Sequence, residues 1–278
     1  PPISEPDIPR FRAFDIGHRP ALPYGAAVFR PCIDLHDGRV KQIVGGTLSD
    51  CAEGPQTNFV SDRPASWYAE LYRKDDLRGG HVIQLGSRNE TAAREALAAY
   101  PGGLQIGGGI NLENAVDWLD AGASHVIVTS WVFREGRLDE ERLSALIKAI
   151  GAERLVLDLS CRLRGGRYWV VTDRWTRFTD FKVTGESLES LAKYCAEFLV
   201  HGVDVEGKMS GIEESLVSLL GESSPIPSTY AGGVRSLDDM GLVEALGSGR
   251  VDLTIGSALD LFGGDVEYAD VLAWQPSK

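Results

Sequence analysis

The feature that most constrains the fold of this chain is an internal repeat at about half its length. Two short apolar runs end in Asp34 and Asp158, and a Gly-Arg pair follows each of them. The same spacing separates the glycine-rich turn that begins at Gly107 from the turn that begins at Ala231. Self-similarity of this kind predicts two copies of one structural unit, which face each other across a closed ring.

Short apolar runs alternate with amphipathic stretches along the rest of the chain, as expected for eight strand–helix units. The runs are apolar throughout, which is typical of parallel strands buried on both faces. With the repeat, this pattern favours an α/β fold, a (β/α)8 TIM barrel with an internal two-fold half-barrel repeat, over an open doubly wound sheet. We expect a single barrel domain over residues 26–278, an irregular N-terminal arm over 1–25, and a hairpin arm within 161–179.

The charge and composition limit the classes of partner. The formal net charge of −12 argues against nucleic acid or an anionic membrane as a partner. No apolar run approaches the roughly 20 residues that a membrane span needs. Because the net charge is negative, any phosphate must be held by local backbone N–H groups and a few cations. The four cysteines are far apart, which predicts neither a disulfide framework nor a zinc site.

Asp34 and Asp158 are predicted to end the first and fifth strands. The carboxyl ends of the strands form the face on which barrel enzymes carry out catalysis. Two carboxylates in different environments of one site can serve as general acid and general base. The structural alternative is an ion pair of each aspartate with a nearby arginine.

Two glycine-rich turns, each with a neighbouring strand end, predict two phosphate sockets. Glycine lets the backbone approach a phosphate closely, and the start of the following helix favours an anion. A tight turn without a ligand is the alternative, and Arg235 is expected either to add a cation or to be a solvated turn residue. The first socket comprises Gly107, Gly108, Gly109, Thr129 and Ser130, and the second comprises Gly232, Gly233, Gly256 and Ser257.

Other candidate residues follow the sixth strand or lie in loops. His201 ends that strand and precedes Glu206, so a substrate contact is as plausible as a packing role. Lys41, Gln42 and Trp175 are candidates to line the cavity, and Trp175 has the flat ring that stacks on a heterocycle. For the tryptophan, packing alone is the alternative. No cluster of histidine and carboxylate residues has the spacing of metal ligands, so no metal is expected.

With these residues placed, the chain resembles the isomerases of the histidine pathway, the phosphoribosylformimino-aminoimidazole-carboxamide ribotide isomerases (HisA family). The similarity runs from about residue 29 to residue 274 and is greatest to the eukaryotic branch. It is carried by FRPCIDLHDGRVKQIVGGTL (29–48), LQIGGGIN (104–111), HVIVTSWVF (125–133), LVLDLSCR (155–162), FLVHGVDVEGK (198–208), TYAGGV (229–234) and GSALDLFGG (256–264).

The resemblance implies an Amadori rearrangement of a bisphosphorylated ribose–imidazole compound, from aminoaldose to aminoketose, with the two aspartates of the family at Asp34 and Asp158. We take Asp158 as the acid that opens the ring and Asp34 as the base. No metal or organic cofactor is expected, because the imine formed by the substrate's own amine accepts the electrons. We expect a monomer.

The chain departs from the bacterial members of the family at the sixth strand. His201 replaces a catalytic threonine, and Glu206-Gly207 replaces an Asp-Gly pair, which leaves the helper role on this strand open. Similarity to plant and algal members suggests the plastid stroma, with the cytoplasm as the alternative. Two other functions remain: the cyclase subunit of imidazole glycerol phosphate synthase, which needs ammonia, and a non-catalytic barrel that binds phosphosugars.

Overall fold

A computed structural model describes residues 27–44 and 56–275, and in these ranges eight parallel strands surround a central axis. Each strand pairs with the next, and register is set by pairs such as Asp34 with Ile83 and Val156 with Glu197. The strands are β1 (Cys32–His36), β2 (Gly80–Gln84), β3 (Leu104–Gly107), β4 (Val126–Val128), β5 (Leu155–Asp158), β6 (Glu197–His201), β7 (Ser228–Ala231) and β8 (Val251–Thr254).

The residues that precede β1 close the sheet against β8. Phe29 and Leu253 form a parallel bridge. The Arg30 N–H donates to Leu253 O at 2.8 Å, and the Leu253 N–H donates to Val28 O at 3.0 Å. This closure confirms the predicted (β/α)8 barrel. The predicted arm at residues 1–25 lies outside the described residues.

A helix follows each strand and packs on the outside of the barrel. In the described ranges, no helix combines the length and the apolar content that crossing a membrane requires. The helices are α1 (Ala65–Lys74), α2 (Glu90–Ala99), α3 (Ala115–Asp120), α4 (Glu140–Ile150), α5 (Gly185–Ala192), α6 (Glu214–Ser223), α7 (Leu237–Gly247) and α8 (Tyr268–Ala273).

Helix α3 starts later than its predicted position at Asn111. The side chain of Asn114 accepts the Asn111 N–H at 2.9 Å and donates to Gly109 O at 3.1 Å. Asparagine side chains compete with helical hydrogen bonds in this way and stabilise turns. The first helical turn is therefore replaced by a turn next to the predicted first socket.

The barrel has two apolar layers. A large cluster fills the space between the strands and the helices, and a small cluster of Ile127, Val156, Leu199 and Ala231 fills the barrel interior. Every residue of β3, β5 and β7 is buried, as expected for strands covered on both faces. These layers fix the strand ends, which carry the polar residues of the site.

Three of the loops that follow the barrel strands contain strands of their own. After β4, Phe133–Arg134 and Arg137–Leu138 form a short antiparallel pair. After β1, Arg39–Ile43 folds back antiparallel to β1 and pairs with Thr57–Val60. After β5, the predicted hairpin arm is larger than expected: Cys161–Arg164, Arg167–Thr172 and Arg177–Lys182 form a three-stranded antiparallel sheet. The loops after β1 and β5 both contribute residues to the cavity at the carboxyl ends of the barrel strands.

Candidate active site

A cavity of about 500 Å³ opens at the carboxyl ends of the barrel strands. Side chains and turns from both halves of the repeat line it, which agrees with the position of active sites in such barrels. The predicted site residues that line this one cavity are Asp34, Asp158, His201, Glu206, Trp175, Gly108, Gly109, Thr129, Ser130, Gly232, Gly233, Gly256 and Ser257.

Lys41 was expected in the cavity but does not line it. Along Arg39–Ile43 the residues that line the cavity are Gln42 and Ile43, and the alternation of the strand is interrupted by a register shift between them. The Lys41 Nζ lies 3.0 Å from His36 Nδ1 and 3.7 Å from Asp37 Oδ2. Of the two neighbours expected to line the cavity, Gln42 therefore does and Lys41 does not.

Gly107 and Arg235 also lie outside the lining. Gly107 is the last residue of β3, and a Cβ there would come 2.7 Å from Cδ1 of Ile83 inside the barrel. The Arg235 guanidinium is half exposed, with Nε 3.5 Å from Oδ2 of the buried Asp239. Gly107 is therefore a packing position, and Arg235, which precedes α7, pairs with a carboxylate in the first turn of that helix.

Asp34 lies in a buried environment that disfavours its ionised form. Burial raises the pKa of Asp34 to about 7, and the negative charge of Glu206 adds to this rise. The positive charge of His201 and a hydrogen bond from Gln42 oppose it, with Gln42 Nε2 3.0 Å from Asp34 Oδ2. A carboxyl group with a pKa near neutrality is suited to proton transfer at neutral pH.

Asp158 lies in the opposite electrostatic environment. Burial alone would raise its pKa, but the positive charge of His201 and three hydrogen-bond donors lower the pKa of Asp158 below its usual value. Thr129 Oγ1 donates at 3.0 Å, Ser160 Oγ donates at 2.9 Å, and His201 Nδ1 lies 3.1 Å away. Asp158 is thus held ionised, in contrast to its repeat partner Asp34.

His201 forms the other half of this pair. Burial would lower its pKa, but Asp158 reverses the effect and, together with Glu206 and Asp34, raises the pKa of His201 to about 9. The imidazole is therefore protonated at neutral pH. The pair of Asp158 and His201 holds one proton inside the cavity, on the side opposite to Asp34 in the repeat.

Glu206 and His81 also face the same cavity. Burial raises the pKa of Glu206, and its Oε2 is buried without a hydrogen-bond partner among the described residues. His81 on β2 lies under His201, with 6.3 Å between the ring centroids. Burial and the charge of His201 lower the pKa of His81 to about 3, so this imidazole stays neutral.

Both glycine turns have backbone conformations that favour glycine. The φ angles of Gly108 and Gly109 are 89° and 73°, and those of Gly232 and Gly233 are 127° and 76°. A Cβ at Gly108 would overlap the backbone of Gln84. Close backbone approach and positive φ are properties of turns that bind phosphate through N–H groups.

The tip of the arm after β5 reaches into the cavity. Asp173, Arg174 and Trp175 have φ angles of 52°, 58° and 65°, an uncommon conformation for three successive residues with side chains. The Asp173 N–H donates to Oγ of Ser130 at 3.3 Å, and the Trp175 ring lies 6.1 Å from that of His201. The tip therefore contacts both Ser130 of the first socket and the ring of His201.

Sequence reasoning missed several residues of the lining. His81 was placed in a strand and given no role, and Arg174 was passed over beside Trp175. Of the described residues that line the cavity, only Arg174 is a lysine or an arginine. His81 and Ile83 are two residues apart on β2, so their side chains point to the same face of the strand. This spacing was the signal that could have placed His81 in the lining. In the described ranges, no group of three histidine, cysteine or carboxylate side chains is arranged to hold a metal ion.

The fold and the cavity define a class: a (β/α)8 barrel with paired aspartates and two glycine turns around one polar cavity. The histidine biosynthesis protein family matches residues 29–266, so the chain belongs to that family. The resemblance inferred from the motifs is thereby confirmed.

Curated relatives are similar over most of their length. A protein of Medicago truncatula, named 1-(5-phosphoribosyl)-5-((5-phosphoribosylamino)methylideneamino)imidazole-4-carboxamide isomerase, chloroplastic, is 57% identical over 252 residues, 88% of this chain and 81% of the relative. Isomerases of the same name from Yarrowia lipolytica and Saccharomyces cerevisiae are 51% and 50% identical, over 88% and 90% of this chain. The alignments cover 97% and 98% of those two proteins.

Proposed function

We propose that this chain is the isomerase of histidine biosynthesis that converts the bisphosphorylated aminoaldose ProFAR to the aminoketose PRFAR. The observation that carries the proposal is the opposite pKa shift of Asp34 and Asp158 within one cavity. Two carboxyl groups whose pKa values are pushed apart mark the base side and the acid side of a proton-transfer site.

The first step opens the furanose ring. The ring oxygen takes a proton while the C1–O bond breaks, and the lone pair of the substrate's amine forms the C1–N double bond of a Schiff base. Because Asp158 is ionised and His201 protonated, the proton comes from the pair of Asp158 and His201. The sequence-based choice of Asp158 as acid is thereby refined, since His201 holds the proton in the free enzyme.

The second step removes the C2 proton. Asp34, with a pKa of about 7, is ionised in a large fraction of molecules at neutral pH and is a stronger base than an ordinary aspartate. The electrons of the C–H bond move towards the imine nitrogen and give an enolamine. This compound tautomerises to the ketose, so atoms and electrons balance without an external oxidant.

The two glycine turns hold the terminal phosphates, and remote binding energy thereby positions the reacting ribose. The first socket is formed by Gly108, Gly109, Thr129 and Ser130, and the second by Gly232, Gly233, Gly256 and Ser257. The free Oε2 of Glu206 accepts a hydrogen bond from a ribose hydroxyl. Trp175 stacks on the imidazole ring.

Spectroscopic conversion of purified aminoaldose tests the function. Wild type should turn the substrate over without added metal or cofactor, and Asp34→Asn and Asp158→Asn should each lower kcat at least 10³-fold, since general acid–base catalysis contributes roughly 10²–10⁴-fold. Asp62→Asn is the matched control, because Asp62 is fully exposed. Turnover that persists in both asparagine variants would contradict the mechanism.

The same assay separates the two rival functions. Ring closure that depends on added ammonia identifies a cyclase. Binding of the aminoaldose without conversion by the wild type identifies a phosphosugar-binding barrel. Conversion that is independent of ammonia supports the isomerase.

We also propose that the chain acts as a monomer in the plastid. The printed name of the Medicago truncatula relative supports the plastid. A fluorescent fusion of the full gene product that stays in the cytoplasm would contradict the location. Light scattering should give a mass near 30.1 kDa in solution, and a value twice as large would contradict the monomer.

A further inference from the structure

Gln42 lies between the base and the second socket. It is 2% exposed and comes from the strand that folds back on β1. Its Nε2 lies 3.0 Å from Asp34 Oδ2, and Oγ of Ser257 lies 3.3 Å from its Oε1. A Cβ at Gly256 would come 2.5 Å from the same Oε1, so a glycine is needed there to admit the amide.

The two ends of the amide are not equivalent. Nε2 only donates and Oε1 only accepts, whereas a hydroxyl donates once and accepts twice. With Asp34 ionised, Nε2 donates to the carboxylate and the Ser257 hydroxyl donates to Oε1. The Ser257 Oγ accepts from Asn58 Nδ2 at 3.2 Å as well. In this arrangement the Ser257 proton is not available to a phosphate.

Protonation of Asp34 reverses the arrangement. The new O–H needs an acceptor, which a 180° turn of the amide supplies through Oε1. Nε2 then donates to Ser257 Oγ, which still has room for the bond from Asn58. The Ser257 hydroxyl is now free to donate to an oxygen in the second socket. Both ends of the Gln42 amide therefore have a partner in either state, on Asp34 at one end and on Ser257 at the other.

We propose that Gln42 is a positioning residue that couples a phosphate in the second socket to the protonation of Asp34. Resting on the proposed function, this means that a substrate phosphate in the second socket raises the proton affinity of Asp34, so that the ionised carboxylate takes the proton from C2 more readily. The other half of the repeat differs, because Thr129 Oγ1 of the first socket donates directly to Asp158 at 3.0 Å.

The test measures the pKa of Asp34 by NMR of the ¹³C-labelled carboxyl group, with and without saturating sulfate, a tetrahedral dianion that does not titrate in this range. In wild type, sulfate should raise the pKa of Asp34. Part of this rise is the direct effect of a nearby negative charge. In Gln42→Met the direct effect of the sulfate charge remains but the amide is absent. The sulfate-induced rise in the pKa of Asp34 should therefore be at least half a pH unit smaller than in wild type.

Two further variants keep the result interpretable. Gln105 is also 2% exposed and donates to a carboxylate, Glu197 Oε2, at 2.9 Å, but it lies outside the cavity. Gln105→Met should therefore show the full wild-type shift despite losing a buried amide. Ser257→Ala should show the reduced shift, and combining it with Gln42→Met should cause little further loss.

Kinetics give an independent readout. Gln42→Met should shift the acidic limb of the kcat/KM profile to higher pH, because the amide that donates to the Asp34 carboxylate in the free enzyme is lost. An equal sulfate-induced shift in wild type and Gln42→Met, or no shift in wild type, overturns the coupling. The titration needs no turnover, so failure of the isomerase assay and failure of the coupling are distinguishable.

Discussion

His201 Nδ1 and Asp158 Oδ1 lie 3.1 Å apart, and this contact gives the two repeat-related aspartates different protonation behaviour. Near His201 the carboxylate of Asp158 is stabilised, whereas Asp34 has Glu206 as its strongest charged neighbour. The two halves of the barrel are repeats, but the site is asymmetric. The pair of Asp158 and His201 holds a proton, and Asp34 in the other half accepts one.

The rate should depend on pH in a bell-shaped manner. kcat/KM should rise with pH through about 7, where Asp34 loses its proton and becomes the base, and fall through about 9, where His201 loses the proton that it supplies. Steady-state kinetics between pH 5 and pH 10 measure both limbs (roughly the range over which these groups titrate). A flat profile across neutrality would refute the assignment.

The Asp158→Asn variant should change the titration of His201. Loss of the carboxylate removes the main cause of the raised pKa, so the imidazole should release its proton at lower pH than in wild type. NMR of the histidine ring protons measures this directly. His125, whose ring lies next to Ser124 and outside the cavity, should titrate alike in both proteins.

Asp34→Asn should lose activity but gain stability at high pH. The pKa of Asp34 rises on folding from 3.8 to about 7, so folding stability is greatest when the group is protonated and falls as pH rises through 7. Above pH 8 the variant should be more stable than wild type by on the order of 2–4 kcal/mol.

Urea unfolding at pH 5 and pH 8.5 measures this difference. The advantage of Asp34→Asn should be smaller at pH 5, where the wild-type carboxyl is largely protonated in the folded state. Asp62→Asn, at a fully exposed position, should show no such pH-dependent advantage. An equal gain at both pH values would mean that burial of the charge is not the cause.

Substitution in the first glycine turn should separate backbone conformation from close contact. Gly108→Ala should destabilise the protein by about 3 kcal/mol or more, because the Cβ overlaps the backbone of Gln84 at a positive φ. Gly109→Ala has a similar φ but open space around the Cβ, so about 1–2 kcal/mol is expected. Thermal and urea unfolding compare the two, and equal losses would rule out the contact.

Trp175 should contribute to substrate binding through its ring. Trp175→Ala should raise KM about 10-fold, and Trp175→Phe should recover part of the loss, since aromatic pairs contribute roughly 0.5–1.5 kcal/mol beyond area burial. Trp169→Phe is the control, because that ring lies in the same arm under the Lys182 ammonium, 4.6 Å away. Substrate should quench fluorescence less in Trp175→Phe than in the control and in wild type, where Trp131 of the cavity lining is also present.

Much of the fold was predictable because it depends on local patterns. Fully apolar runs, amphipathic helices and the half-chain repeat indicated eight strand–helix units, and those units are present. The start of α3 was predicted four residues too early, because the Asn114 side chain replaces a helical hydrogen bond there. The arm after β5 was recognised as an insertion, but its third strand has no distinctive pattern.

The sequence by itself determined which residues meet at the strand ends, since Asp34, Asp158 and the glycine turns follow from position along the repeat. Only the tertiary structure decided which neighbour faces inward, Gln42 rather than Lys41, and which aspartate is ionised. The physical reason is the distance along the sequence between the residues that interact. Strand and turn preferences are set by residues close in sequence, whereas the pKa of Asp34 depends on burial and on Glu206, a charge brought near by closure of the barrel.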